Sequence, residues 1–257
     1  MAKWGTQGWW PTTNTRLAAA LSVLGLIVRT DAQVDERTGS ETRRIYLSLE
    51  PADRAMHRGT GHIIQTRRIV REINDGTLPR TDPTHPTLCG LAALANRQAL
   101  TDWLKTGQSY RLHPLHGGPL HVLRPADSPV VVDGPPPPYV RVHEITIASA
   151  LAAIGVDVLR LSGSPDAQTI DLAATTPDIE PVAALIQTYR ARELPDDSPL
   201  FAGIQAIWNY HAIVAALRDE MPTILLRKPR SRLAAVVRPD ITPKGLDLVR
   251  RKFNQSA

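Results

Sequence analysis

Two stretches of this chain carry the same punctuation at the same spacing, and that recurrence constrains the fold more than any other feature. "HPTLCGLAALANRQALTDWL" (residues 85–104) and "SPLFAGIQAIWNYHAIVAAL" (198–217) align at a constant offset of 113. Pro86 matches Pro199, Gly90 matches Gly203, Ala93 matches Ala206, Asn96 matches Asn209, Ala99 matches Ala212 and Leu104 matches Leu217. Further matches follow in the same order. "LAAALSVLGLIV" (17–28) answers "IASALAAIGVDV" (147–158), and "RRIYLSLEPAD" answers "QTIDLAATTPD". "IVREINDGTLP" answers "LIQTYRARELP", and "HVLRP" (121–125) answers "AVVRP" (235–239). The offset changes only at stretches that read as loops, where insertions are tolerated.

The sequence therefore reads as two copies of one module, residues 14–125 and 144–239. A Trp-rich arm (1–13) precedes them, a Pro-rich linker (126–143) joins them, and a basic helix (240–257) follows. The linker assignment rests on four consecutive prolines, which fit neither a helix interior nor a central strand. Within each copy the local signals agree. "TRLAAALSVLG" has apolar residues at helical spacing, with Gly25 placed as a C-terminal cap, and Gly155 holds the same place in copy two. Alternating stretches around "DERTGSE" and "SGSPD" read as hairpins. Two helices follow, the second opening on Pro86 or Pro199 with Thr84, His85 or Ser198 leading in. A second hairpin closes each copy. The order is α-β-β-α-α-β-β, an α+β fold of antiparallel sheets with helices packed on one face. In this reading the shared Gly, Ala and Asn positions mark close helix packing, and a buried Asn requires a hydrogen-bonding partner.

A length of 257 residues and a 42% hydrophobic share allow one large domain or two ordinary ones. No run reaches the roughly 18 consecutive apolar residues of a membrane span, so no membrane association is expected. The N-terminus lacks the pattern of a secretory signal. The single cysteine, Cys89, excludes an internal disulfide, and a cytoplasmic location is the default expectation.

Sequence motifs exclude more chemistry than they name. "HPLHGGPLH" places His113, His116 and His121 in one segment, but not at any recognised zinc spacing, so no metal site is expected. Cys89 reads as a small core residue. The chain has no G-x-S-x-G, no Cys–His pairing and no P-loop. No catalytic residue and no cofactor can be assigned.

Charge is the remaining lead. The net charge is +5, unevenly spread. Residues 135–226 hold five Arg/Lys against eleven Asp/Glu, whereas residues 227–257 hold nine against two. This tail supplies Arg227, Lys228, Arg230, Arg232, Arg250, Arg251 and Lys252 as phosphate contacts. Arg67 and Arg71, four apart on one helix, join them. Trp4, Trp9 and Trp10 offer base-stacking or partner-anchoring surfaces. These features point to a non-catalytic DNA- or RNA-binding protein built as a fused pseudo-dimer. The alternatives are an assembly or scaffold subunit with protein partners, and an enzyme with its site at the cleft between modules.

Overall fold

The computed structural model describes residues 9–24, 26–34, 41–51, 61–127, 137–164, 167–178, 180–195, 197–218, 224–227 and 234–237. It is mixed helix and strand, with antiparallel sheets packed against helices, as the α+β reading expects. The chain divides into two compact units that do not follow the sequence modules. Unit 1 takes residues 1–75 together with 208–257; unit 2 is the continuous segment 76–207.

Unit 1 is organised around a five-stranded antiparallel sheet. Helix α1 (Thr15–Ser22) starts at Asn14, whose side-chain oxygen accepts from Leu17 N at 3.0 Å and satisfies one of the unpaired first-turn donors. Leu17 to Ser22 are all buried. The apolar run then becomes strand β2 (Leu26–Val34), which pairs with β3 (Glu41–Pro51) in the expected hairpin. Val28, Ile45 and Leu47 are completely buried or nearly so. Strand β1 (Trp9–Thr12) adds to the outer side of β3, within the span read from sequence as an arm. On the other side, β2 pairs with β9 (Ile224–Arg227), which in turn pairs with β10 (Ala234–Val237). The resulting order is β1-β3-β2-β9-β10. Helix α2 (Gly61–Asn74) packs against β3 and buries Ile69 and Val70.

Unit 2 opens with the short α3 (Leu78–Thr81) and the long α4 (Pro86–Thr106). Pro86 occupies the first turn of α4, where its missing N–H has no cost, and His85 Nδ1 accepts from Thr87 N at 3.2 Å. Gly107, with φ of 71°, ends this helix in the left-handed conformation. Strands β4 (Tyr110–Pro114) and β5 (His121–Pro125) form a hairpin. Strand β6 (Tyr139–Val142), within the span read as a linker, pairs with β8 (Thr169–Ala173), and β7 (Val158–Ser162) pairs with β8 from the other side. Between β6 and β7 lies α5 (Ile145–Ala153), whose buried positions are four alanines with Ile147, Leu151 and the polar Ser149. It ends with Gly155 at φ 91°, where Val156 N reaches back to Leu151 O at 3.1 Å. Helix α6 (Val182–Arg190) leads to α7 (Pro199–Arg218), whose first turn is closed by Ala202 N donating to Ser198 O. Residues 199–207 of α7 belong to unit 2 and the remainder to unit 1.

The helix core of unit 2 explains one of the matched glycines. A Cβ on Gly203 would lie 3.1 Å from the Ala93 Cβ and 3.2 Å from the Ala150 Cβ. α7 therefore approaches α4 and α5 more closely there than a larger residue would permit.

Candidate nucleic-acid interface

The division into units sorts the charge. The segments of unit 1 carry 21 Arg/Lys against 12 Asp/Glu, a net of +9; those of unit 2 carry 9 against 13, a net of −4. The basic tail and the arginine-bearing α2 come from opposite ends of the chain, yet they belong to the same compact unit. A surface field of one sign raises the local concentration of a polyanion and its association rate.

Within unit 1 the sequence-derived contacts fall in different places. Arg67 and Arg71 both lie on α2, and Arg71 is exposed with a loose ion pair to Asp75 at 3.8 Å. Their neighbour Arg68 is paired with Glu72 across the next turn. Exposed pairs of this kind are worth little and yield readily to a phosphate. Arg227 ends β9, opposite Ala234 of β10. Lys228, Arg230, Arg232, Arg250, Arg251 and Lys252 lie outside the described residues, as does Trp4. The backbones of Trp9 and Trp10 are part of the sheet, standing opposite Ser48 and Leu47 of β3.

Unit 2 contains two basic constellations that the sequence did not single out. The first crosses the three-stranded sheet. Asp171, on the central strand β8 and only 6% exposed, stands opposite Arg141 of β6 and Arg160 of β7. Arg141 grips it with both arms, Nε to Oδ1 at 2.7 Å and Nη2 to Oδ2 at 3.1 Å. This clamp holds the Asp171 carboxyl below the usual carboxylate range against the opposing effect of burial, with Arg160 adding to it. The Arg141 guanidinium also lies 5.4 Å over the ring of Tyr139, which is 48% exposed.

The second is the β4–β5 hairpin. It turns through Leu115–Gly118, where Gly118 N donates to Leu115 O and the two central residues, His116 and Gly117, have φ of 52° and 72°. Leu115 N also donates to Leu120 O at 2.6 Å and closes a four-residue loop, 116–119. The register of the two strands places Arg111 directly opposite Arg124. Both are exposed, and neither has a carboxylate partner among the described residues.

The other candidate groups have structural roles. Asn96 is fully buried on α4. Its Oδ1 accepts from Leu123 N at 2.7 Å, and its Nδ2 donates to His121 O at 3.2 Å and Ser149 O at 3.4 Å. The matching Asn209 is 2% exposed and donates to Ser22 Oγ at 2.6 Å. Each buried amide thus has the hydrogen-bonding partner that its burial demands. Cys89 is buried, donates to Thr84 O at 3.2 Å, and has a thiol pKa pushed up to about 12 by desolvation. That thiol is no nucleophile at neutral pH. His113 stands opposite Val122 and His121 opposite Pro114, so the two imidazoles do not face one another. Among the described residues no group of three His, Cys, Asp or Glu is placed to hold a metal.

An open hollow of about 360 Å³ is lined by His143, Ala167, Gln168 and Thr169. Two of its residues bond each other, Gln168 Nε2 donating to His143 O at 2.6 Å and His143 Nδ1 lying 3.0 Å from Gln168 O, while Gln168 Oε1 is buried with no partner among the described residues. Helix α7 is long and apolar enough to cross a membrane by length and composition, and most of it is buried within the protein.

Compared with known proteins, the chain matches no family model, no curated protein and no solved structure.

Proposed function

We propose that this chain is a non-catalytic nucleic-acid-binding protein whose two halves are copies of one module fused into a pseudo-dimer. The observation that carries the binding reading is the segregation of charge. A net of +9 is collected in the unit formed by the two ends of the chain, while the central unit is acidic. A dispersed excess of arginine from composition alone would fall on both units alike.

The duplication is supported by a shared order of elements. β1, α1, β2 and β3 are matched by β6, α5, β7 and β8, and the leading strand lies beside the second hairpin strand in each case. The closing hairpin of the second half joins the sheet of the first through β2 and β9. The closing hairpin of the first half belongs to unit 2, with the opening strands of the second. Each unit thus combines the beginning of one copy with the end of the other, as an intertwined dimer does when its chains are joined.

Fluorescence anisotropy of labelled single- and double-stranded DNA and RNA across a salt series tests the binding. The full chain is compared with a variant carrying Arg250, Arg251 and Lys252 as Gln, because truncation before Arg227 would remove β10 from the sheet. Binding that weakens with salt, with a log–log slope shallower by roughly 2–3 in the variant, is expected. No association with any of the four probes at low salt would overturn the reading.

An assembly subunit is the second reading. It is favoured by Trp208, which is 45% exposed in a helix otherwise rich in buried residues. Oligomerisation that buries this indole, seen as a blue shift of its emission, would mark that role.

A further inference from the structure

We infer that the outer face of the β4–β5 hairpin is a phosphodiester contact strip, in which Arg111 and Arg124 hold the backbone of a nucleic-acid strand. The inference rests on the nucleic-acid reading above and extends it to the acidic unit, where net charge alone would not place a contact.

The hairpin has two distinct faces. Side chains alternate along each strand, and the pairs Tyr110–Pro125, Leu112–Leu123 and Pro114–His121 share one side. That side is the inner one. Leu123 is buried, the Tyr110 ring lies 6.1 Å from that of Trp103 on α4, and Asn96 of α4 ties both Leu123 N and His121 O. The alternate pairs, Arg111–Arg124 and His113–Val122, therefore look outward, and Arg111, Arg124 and His113 are all exposed.

The backbone bonds of Ser109 with Ala126 and of Leu115 with Leu120 fix the alternation of the ladder. They make Arg111–Arg124 one of its hydrogen-bonded pairs, with Cα atoms roughly 5.5 Å apart. Like charges directly opposite one another destabilise a strand pair. Here no acid on the same face relieves them among the described residues: the flanking outward residues are Ser109, Ala126, His113 and Val122. The one nearby carboxylate in sequence, Asp127, is exposed and makes no ion pair with either arginine.

The other basic row of this unit contrasts with it. There Arg141 is neutralised by a buried aspartate, which is what a structural arginine looks like. Two planar guanidinium forks held side by side on a hairpin, with no carboxylate partner among the described residues, are suited to bind phosphate oxygens. The asymmetry of the hairpin, anchored within and basic without, is the geometry of a backbone-positioning contact rather than a base reader.

The test uses the full chain and a labelled oligothymidylate, as a single strand and annealed to its complement. Three proteins are compared: the unaltered chain, R111Q/R124Q, and the charge-matched control R80Q/K105Q, whose exposed cations lie elsewhere in the same unit. R111Q/R124Q is expected to lose about tenfold in affinity, and its salt slope to fall by about 1.4–1.8, two phosphate contacts' worth. Its thermal midpoint stays level or rises, since relieving the like-charge pair removes nothing structural. The control keeps its slope. If the unaltered chain binds and R111Q/R124Q binds with the same slope, or if the control loses as much, the strip is refuted and the wider function stands. If the unaltered chain binds neither probe, the strip is refuted, and the wider function falls with it only when the RNA probes fail as well.

Discussion

Replacing Asn96 by Ala isolates what a buried amide contributes to unit 2. The change deletes the acceptor of the Leu123 N–H, a buried donor bonded at 2.7 Å, and both longer bonds to the carbonyls of His121 and Ser149. The carbonyls are the lesser loss, because each has a second lone pair and the bonds are 3.2 and 3.4 Å long. The orphaned N–H dominates, at about 1–3 kcal/mol. The small void left by the truncated side chain adds about 1 kcal/mol. Together they predict a loss of about 3 kcal/mol, or a fall of about 10 °C in melting temperature for a unit of this size. Calorimetry measures the midpoint, and amide exchange in labelled protein reads Leu123 directly, where protection should collapse before that of its neighbours. Asn96→Asp provides a second reading. It keeps the acceptor but turns a carboxylate oxygen toward two carbonyls, so it should destabilise at neutral pH and recover in acid, where a protonated carboxyl can donate. A midpoint within 2 °C of the unaltered protein, with Leu123 still protected, would refute the argument that this amide ties α4 to the hairpin and to α5.

Two further expectations follow from particular contacts. Gly203→Ala places a methyl 3.1 and 3.2 Å from two alanine side chains, so a loss of about 1–3 kcal/mol is expected in urea unfolding, whereas an unchanged midpoint would mean that α7 can shift outward freely. Arg141→Met removes the clamp on Asp171. Because the folded-state pKa of Asp171 is depressed, the clamp's contribution is fully present above the unfolded-state value and disappears as pH falls through the folded-state one. The gap in urea midpoint between the two proteins should therefore be widest near neutrality and close in acid; a gap independent of pH would show that the ion pair is irrelevant to it.

The sequence carried the local structure well, for a physical reason. Helices α4 and α7 begin at Pro86 and Pro199 because proline suits a first turn, and α5 is closed by Gly155 because that position needs a positive φ. The hairpins were visible in their alternation and turn residues. Strands β1 and β6 were not. "WWPT" contains a proline and "YVRV" follows four of them, which suggests an arm and a linker. Both are edge strands, and an edge is where a strand can carry a proline such as Pro11. The grouping of the two chain ends into one unit was beyond local reading, because it depends on β2 pairing with β9 across most of the chain. The Arg141–Asp171–Arg160 row is likewise invisible until register brings three strands together. Arg111 and Arg124, by contrast, could have been found by counting outward from Gly117 and Gly118.

The composition of unit 1 also sets a timetable for synthesis. Unit 2 is continuous, so all of its own segment has been made by residue 207. The sheet of unit 1 cannot close then, because the partner for the free edge of β2 is β9, which starts at Ile224. Translation at about 5–20 residues per second leaves that edge waiting some 10–40 s after β2 itself has emerged. During that interval one edge of β2 is unpaired and open to the wrong neighbour. Until β9 is made, the β2–β3 hairpin has only β1 to steady it, from the far side.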